Sequence, residues 1–214
     1  MANLAAYRTR IQNSLDDSTS KYSNDIIDEA LRKILNEYTR AHPNFSTHEH
    51  TVATAGRTQS LSVSDLIAIV LLVHPWNNTL NDPYVYERKD FSMAYIDGSP
   101  TLYFMGDDIP QVDEIIYLKY GSKQTIEDLD SAAATTVQDD HEDILVVGAA
   151  GQAAMMRASG LNEQWGSRAG EMSALMQWGN SQYGRFLDFL MEIKQEAPID
   201  IFPDNFWNID EWDK

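Results

Sequence analysis

The stretch Ile144–Arg157, ILVVGAAGQAAMMR, holds the residues of this chain whose types and spacing come nearest to a known chemistry. Read as strand, glycine turn and helix, it would bring backbone N–H groups up to a phosphate at a helix N-terminus, as dinucleotide-binding enzymes do. The spacing is wrong for that. Gly148-x-x-Gly151 lacks the Gly-x-Gly of the tight first turn, and no Gly-Lys-Ser/Thr follows to make a P-loop. Read as one helix, the same stretch explains more residues. Ile144, Val147, Gly148, Gly151, Met155 and Ala158 recur at steps of three and four. His141, Glu142 and Asp143 would occupy its first turn, where negative charge suits the helix dipole, and Ser159-Gly160 would stop it. Gly148 and Gly151 are then expected to be helix-packing residues.

Other constellations point to less. His48-Glu49-His50 puts two imidazoles on one face of a strand, with His42 nearby in sequence, but zinc needs a third and usually a fourth ligand. An exposed polar strand is the reading preferred there. Asp128-x-Asp130 and Asp139-Asp140-x-Glu142-Asp143 offer oxygen ligands without the central Gly and terminal Glu of a calcium loop, so a solvated negative face is expected. No spacing singles out a carboxylate pair for acid–base work, and no Gly-x-Ser-x-Gly is present. The expectation is a protein that is not an enzyme, with no catalytic residue, no metal and no cofactor.

The C-terminal segment has a different character. Phe202, Phe206, Trp207, Ile209 and Trp212 alternate with Asp200, Asp204, Asp210, Glu211 and Asp213. Large aromatics among charges make good anchors for a partner's groove, so residues 199–214 are expected to be a partner-binding arm. The alternative is that this segment folds back on its own domain.

Composition limits the partners. A net charge of −17 argues against gripping nucleic-acid phosphates and against attraction to anionic membranes. The absence of cysteine removes disulfides and thiolate metal sites. The start of the sequence lacks a signal-peptide core, and the longest apolar run, Leu66 to Val73, is too short to span a bilayer. A soluble intracellular product is expected.

These features need elements to position them. Leu4, Tyr7, Ile11 and Leu15 predict a first helix ending near Asp16-Asp17. A second is predicted over 25–41, capped from Ser23–Asp25, lined by Ile27, Leu31, Ile34, Leu35 and Tyr38, and ended by His42-Pro43. Short β-type runs follow at Thr51–Ala55, Leu66–His74, Tyr84–Glu87, Phe91–Tyr95, Leu102–Met105 and Glu114–Tyr120. Asp97-Gly98 signals a hairpin, with Ser99-Pro100 lengthening its turn. One helical turn is expected at Thr125–Asp130 and a loop over 131–137, before helices at 139–159 and 166–195. The last carries Leu175, Trp178, Gln182, Phe186, Phe189 and Ile193 on one face, while Gly170, Gly179 and Gly184 fit places where another helix or subunit comes close. The fold class is α+β: a helical core of two N-terminal and two long C-terminal helices over 1–46 and 122–198, a small antiparallel sheet or sandwich inserted at 47–121, and an extended tail at 199–214.

Several segments carry a resemblance. Leu4–Ile11, Tyr22–Leu31, Glu114–Tyr120 leading into Thr125–Asp130, and Thr135–Val137 before the small-residue helix resemble, in order and pattern, the head–tail connector (adaptor, or head-completion) proteins of tailed bacteriophages. The likeness covers most of the chain in order and pattern, with a β insertion larger than in the shortest, wholly helical connectors. It implies a structural virion protein in the neck between capsid and tail, made in the host bacterial cytoplasm. It implies a ring, usually of twelve copies, beneath the portal protein and next to tail or neck proteins, with DNA passing through the lumen and no membrane contact. In that family the C-terminal segment commonly reaches into the portal, and Phe202–Trp212 stands where that segment would be. A carboxylate-lined channel would let DNA slide, because it repels phosphates. The alternative function is an intracellular, non-enzymatic module that docks on another protein through the acidic aromatic tail.

Overall fold

A computed structural model describes residues 2–16, 21–63, 65–76, 88, 90–162 and 169–196. The fold class is α+β: the described residues form four helices and two small antiparallel sheets, distributed over two compact units. The helical unit takes residues 1–44 and 124–198, and the β unit is built on 45–123. The expected strand at Tyr84–Glu87 and the arm with Phe202, Phe206, Trp207, Ile209 and Trp212 lie outside the described residues.

In the helical unit, α1 (Leu4–Ser14) is capped by Asn3, whose side chain accepts from the Ala6 N–H, and it buries Leu4, Tyr7 and Ile11. Helix α2 (Asn24–Ala41) is capped by Ser23. It buries Ile27, Leu31, Ile34, Leu35 and Tyr38 on one face, as the spacing predicts for an amphipathic helix. Pro43 cannot extend its ladder, and the chain passes directly into a strand.

Helix α3 (Glu142–Asn162) departs from the expected single stripe. Leu145, Val146, Ala149, Ala150, Ala153, Ala154 and Ala158 are buried around it, whereas Ile144 and Val147 are only partly covered. It is the central helix of the unit, and its small side chains let neighbours close on it from several sides. Among the described residues, Asp139–Leu161 is the one helix long and apolar enough to cross a membrane by length and composition, and 61% of its apolar 18-residue window is buried inside the protein. The expected stop at Ser159-Gly160 is not used. Leu161, 9% exposed, gives the last turn an apolar anchor that carries the helix past the glycine. Helix α4 (Ala169–Glu196) covers α3 with Phe186, Leu190 and Ile193.

The turn expected at Thr125–Asp130 is a short 3-10 turn at Leu129–Ser131 instead, because Asp128, Asp130 and Ser131 take positive φ and break any longer helix. Another 3-10 turn, Asp139–His141, leads into α3.

The β unit holds two three-stranded sheets. One has β1 (Asn44–Thr51), β6 (Ile115–Ser122) and β3 (Leu66–Val73) in that order; the other has β2 (Thr58–Ser60), β5 (Ser99–Phe104) and β4 (Phe91–Ile96). The strand expected at Thr51–Ala55 is displaced: pairing starts at Asn44 and ends at Thr51, since Asn44, Ser46, His48 and His50 supply the half-buried alternate positions. In β3, register shifts between Leu66 and Ala68 and between Ile69 and Leu71 turn Leu66, Ile69 and Leu72 inward at steps of three. They meet Ile116 and Leu118 of β6, and Leu102 and Phe104 of β5, in one core.

The hairpin turn contains Asp97 and Gly98 alone, both at positive φ, and Ser99-Pro100 does not lengthen it. Ile96 pairs with Ser99 and Tyr95 with Pro100, the latter at a position where the β4 ladder needs no N–H. On the other side of β5, Leu61 N–H donates to the Pro100 carbonyl, and the β2 ladder stops where proline has nothing to return.

Candidate functional site

The sequence singled out Gly148 and Gly151, and the structure puts both where α3 crosses α4. A Cβ on Gly151 would lie 2.7 Å from the Gly179 carbonyl oxygen and 2.9 Å from the Tyr183 backbone nitrogen. The relation is mutual: a Cβ on Gly179 would lie 2.7 Å from the Gly151 carbonyl oxygen and 2.7 Å from Met155 Cγ. A Cβ on Gly148 would meet the Phe186 ring at 2.8 Å. Ordinary side chains do not fit at these distances, so the two helices meet backbone to backbone. Both glycines stand inside a continuous helix, with Ile144–Val147 helical rather than a strand. Their N–H groups belong to the helical ladder, which leaves none to cradle a phosphate.

Gly170 and Gly184 of α4 differ from Gly179: nothing lies within 4 Å of a Cβ placed on either. The outward side of α4 also exposes Met176, Leu187 and Met191. Tyr183 marks the boundary between the covered and open sides. Its hydroxyl donates to Glu37 at 2.7 Å, and its pKa is pushed up to about 12, first by burial and then by that carboxylate.

The acidic clusters form the expected solvated face at Asp128, Asp130, Asp139, Asp140 and Asp143, all exposed, and Glu142 is the buried exception. Asp130 accepts from Arg32 at 2.9 Å. Glu142, 9% exposed, accepts from Arg10 at 2.9 Å and from the Ala2 N–H at 2.7 Å, tying α1 to the start of α3. Asp143 receives the other Arg10 nitrogen.

His48 and His50 share the half-buried side of β1, with ring centroids 6.5 Å apart. His50 is held below its ordinary pKa, chiefly by burial, with His48 adding to the effect and a hydrogen bond to Gln59 opposing it. Among the described residues no group of three or more His, Cys, Asp or Glu side chains is placed to hold a metal.

Two polar clusters escaped the sequence reading. At the junction of α2 and α3, Tyr38 Oη lies 2.7 Å from His141 Nδ1, His42 stacks on Tyr38 at 5.6 Å, and His141 meets Phe189 edge-on at 5.0 Å. Burial raises the Tyr38 pKa well above the usual tyrosine range and lowers that of His42, with His141 depressing His42 further. The other cluster surrounds His74 in the β unit, with Glu114, Asp108, Arg88 and Asp90. Only the isolated histidines could have signalled either cluster, because the partners of each are scattered along the chain.

No family model matches this chain, and no curated protein matches it.

Proposed function

We propose that this chain is a structural virion protein, a head-to-tail adaptor that forms a ring beneath the portal of a tailed bacteriophage. In this reading the ring, of twelve copies, joins capsid to tail and lets DNA pass through its lumen without specific binding. The observation that carries the reading is the element order. Two helices, a β insertion and two further helices follow one another as the resemblance implies, and the acidic aromatic segment comes directly after α4. The net charge of −17 suits a lumen that repels phosphates.

In this reading Phe202, Phe206, Trp207, Ile209 and Trp212 are the portal-binding anchors, tail or neck proteins meet the opposite side of the ring, and the protein performs no catalysis. The test is negative-stain electron microscopy of the full chain mixed with the portal protein of the same genome. A ring of added density below the portal is expected, and removal of residues 200–214 should abolish it while the circular dichroism stays unchanged. Absence of added density with the full chain would transfer the reading to a non-enzymatic module that docks elsewhere through the same segment.

A further inference from the structure

The β unit contains a line of charged groups that the adaptor reading does not use: Glu114, His74, Asp108, Arg88 and Asp90. The His74 side chain is fully buried at the end of β3, with its ring edge-on to Phe104 at 5.5 Å. His74 Nε2 lies 3.0 Å from Glu114 Oε2, which also accepts the Gln111 N–H at 2.7 Å. His74 Nδ1 is buried without a hydrogen-bond partner among the described residues and lies 3.9 Å from Asp108 Oδ2. The same oxygen, Asp108 Oδ2, accepts from Arg88 Nη1 at 2.5 Å, and Arg88 reaches Asp90 through Nε and Nη2, each at 2.9 Å.

This geometry is incomplete for a neutral imidazole. A neutral ring has a single N–H. Pointing it at Glu114 leaves the Nδ1 lone pair buried and facing a second carboxylate. A protonated ring donates from both nitrogens, and closing 3.9 Å to hydrogen-bond length requires a movement of about 1 Å. Asp108 can make that movement, since its side chain is 58% exposed and it sits in the segment 105–114 between β5 and β6. That segment is anchored at both ends to the same array, through the Met105 N–H on the Asp90 carbonyl and through Glu114 itself.

We propose that His74 is a proton-operated clasp on the segment 105–114. Taking up a proton gives it the second N–H that Asp108 can accept, so the segment is held more tightly on the acid side. The added hold goes with the proton, because the neutral ring has a single N–H and Glu114 takes it. The segment exposes Met105 and Val112, so the clasp controls how firmly an apolar surface is presented. The inference stands apart from the adaptor reading and holds for either partner of the tail.

Amide hydrogen exchange of the full chain at about pH 5.5 and about pH 8, expressed as protection factors, tests it. Residues 105–114 should be several-fold better protected at the lower pH. His74→Gln should remove that dependence. Because His74 is buried and its replacement risks unfolding the unit, Asp108→Ala, at an exposed position, is the second variant, and by removing the acceptor it should also flatten the dependence. Equal protection at both pH values in the unaltered chain would overturn the clasp. So would a pH dependence that survives Asp108→Ala.

Discussion

Helix α3 is held in two different ways along its length. Its middle meets α4 where Gly148, Gly151 and Gly179 remove every side chain that would keep the backbones apart. Its start is held by polar groups: Arg10 on Glu142 and Asp143, and Tyr38 on His141 beside the stacked His42. The middle depends on shape and is indifferent to protons. The start depends on charge and hydrogen bonding, and beside it burial makes His42 favour its neutral ring. One helix thus combines a size-intolerant joint with a proton-sensitive one, and each can be broken without touching the other.

The largest effect is expected at the crossing. Gly151→Ala puts a methyl group 2.7 Å from a backbone carbonyl, which cannot swing aside like the end of a flexible side chain. Overpacking of this kind outweighs alanine's better helix propensity, and a net loss of about 2 kcal/mol is expected from urea unfolding followed by helical circular dichroism. Gly179→Ala strains the same contact from the other side, so the double variant should lose less than the sum of the two. Additive losses would show that the two glycines relieve separate strains.

The opposite sign is expected at Gly184. It lies within α4, where a Cβ would meet nothing within 4 Å. Gly184→Ala should therefore stabilise the chain by about 0.5–1 kcal/mol, through helix propensity alone. Comparing Gly151→Ala with Gly184→Ala separates a glycine kept for contact from one that the isolated chain does not need. A loss of stability at Gly184 in the dilute protein would mean that something covers that side of α4.

This difference between glycines marks where the sequence stops being legible. The helices of the amphipathic type were readable, because Ile27, Leu31, Ile34, Leu35 and Tyr38 repeat with the helical period and the period dictates one buried face. Gly148 and Gly151 were readable as packing residues, since partial glycine fingerprints fail on spacing. Which glycine of α4 faces them was not readable, because Gly170, Gly179 and Gly184 differ only in rotation about an axis the sequence does not fix. The end of α3 was misplaced because Gly160 stops a helix only when it turns left-handed, and burial of Leu161 holds the last turn helical instead. In the β unit, Asp97-Gly98 was legible as a turn while the register beyond it was not, because Pro100 sits at a rung where its missing N–H costs nothing to β4. The His74 array was illegible for a simpler reason: its members are drawn from positions 74, 88, 90, 108 and 114, and only the fold brings them together.

The smallest effect is expected at the polar end of α3, and it tests whether that joint responds to protons. Burial holds His42 below its ordinary value of 6.5, and His141 beside it acts in the same direction. The folded state therefore favours the neutral ring, while the unfolded chain takes up its proton at the ordinary value. At pH above 6.5 both states are neutral and His42 contributes no pH dependence. As the pH falls through 6.5 the unfolded state binds a proton first, so stability declines until the folded-state value is passed. His42→Phe keeps an aromatic ring to stack on Tyr38 and removes the titration. Stability measured by urea between about pH 7.5 and pH 5 should fall less in this variant than in the unaltered chain. Gly151→Ala, tested over the same range, should lower stability by the same amount at every pH. If the His42→Phe curve runs parallel to that of the unaltered chain, the acid sensitivity lies elsewhere, and the distinction between the two joints of α3 fails at this end.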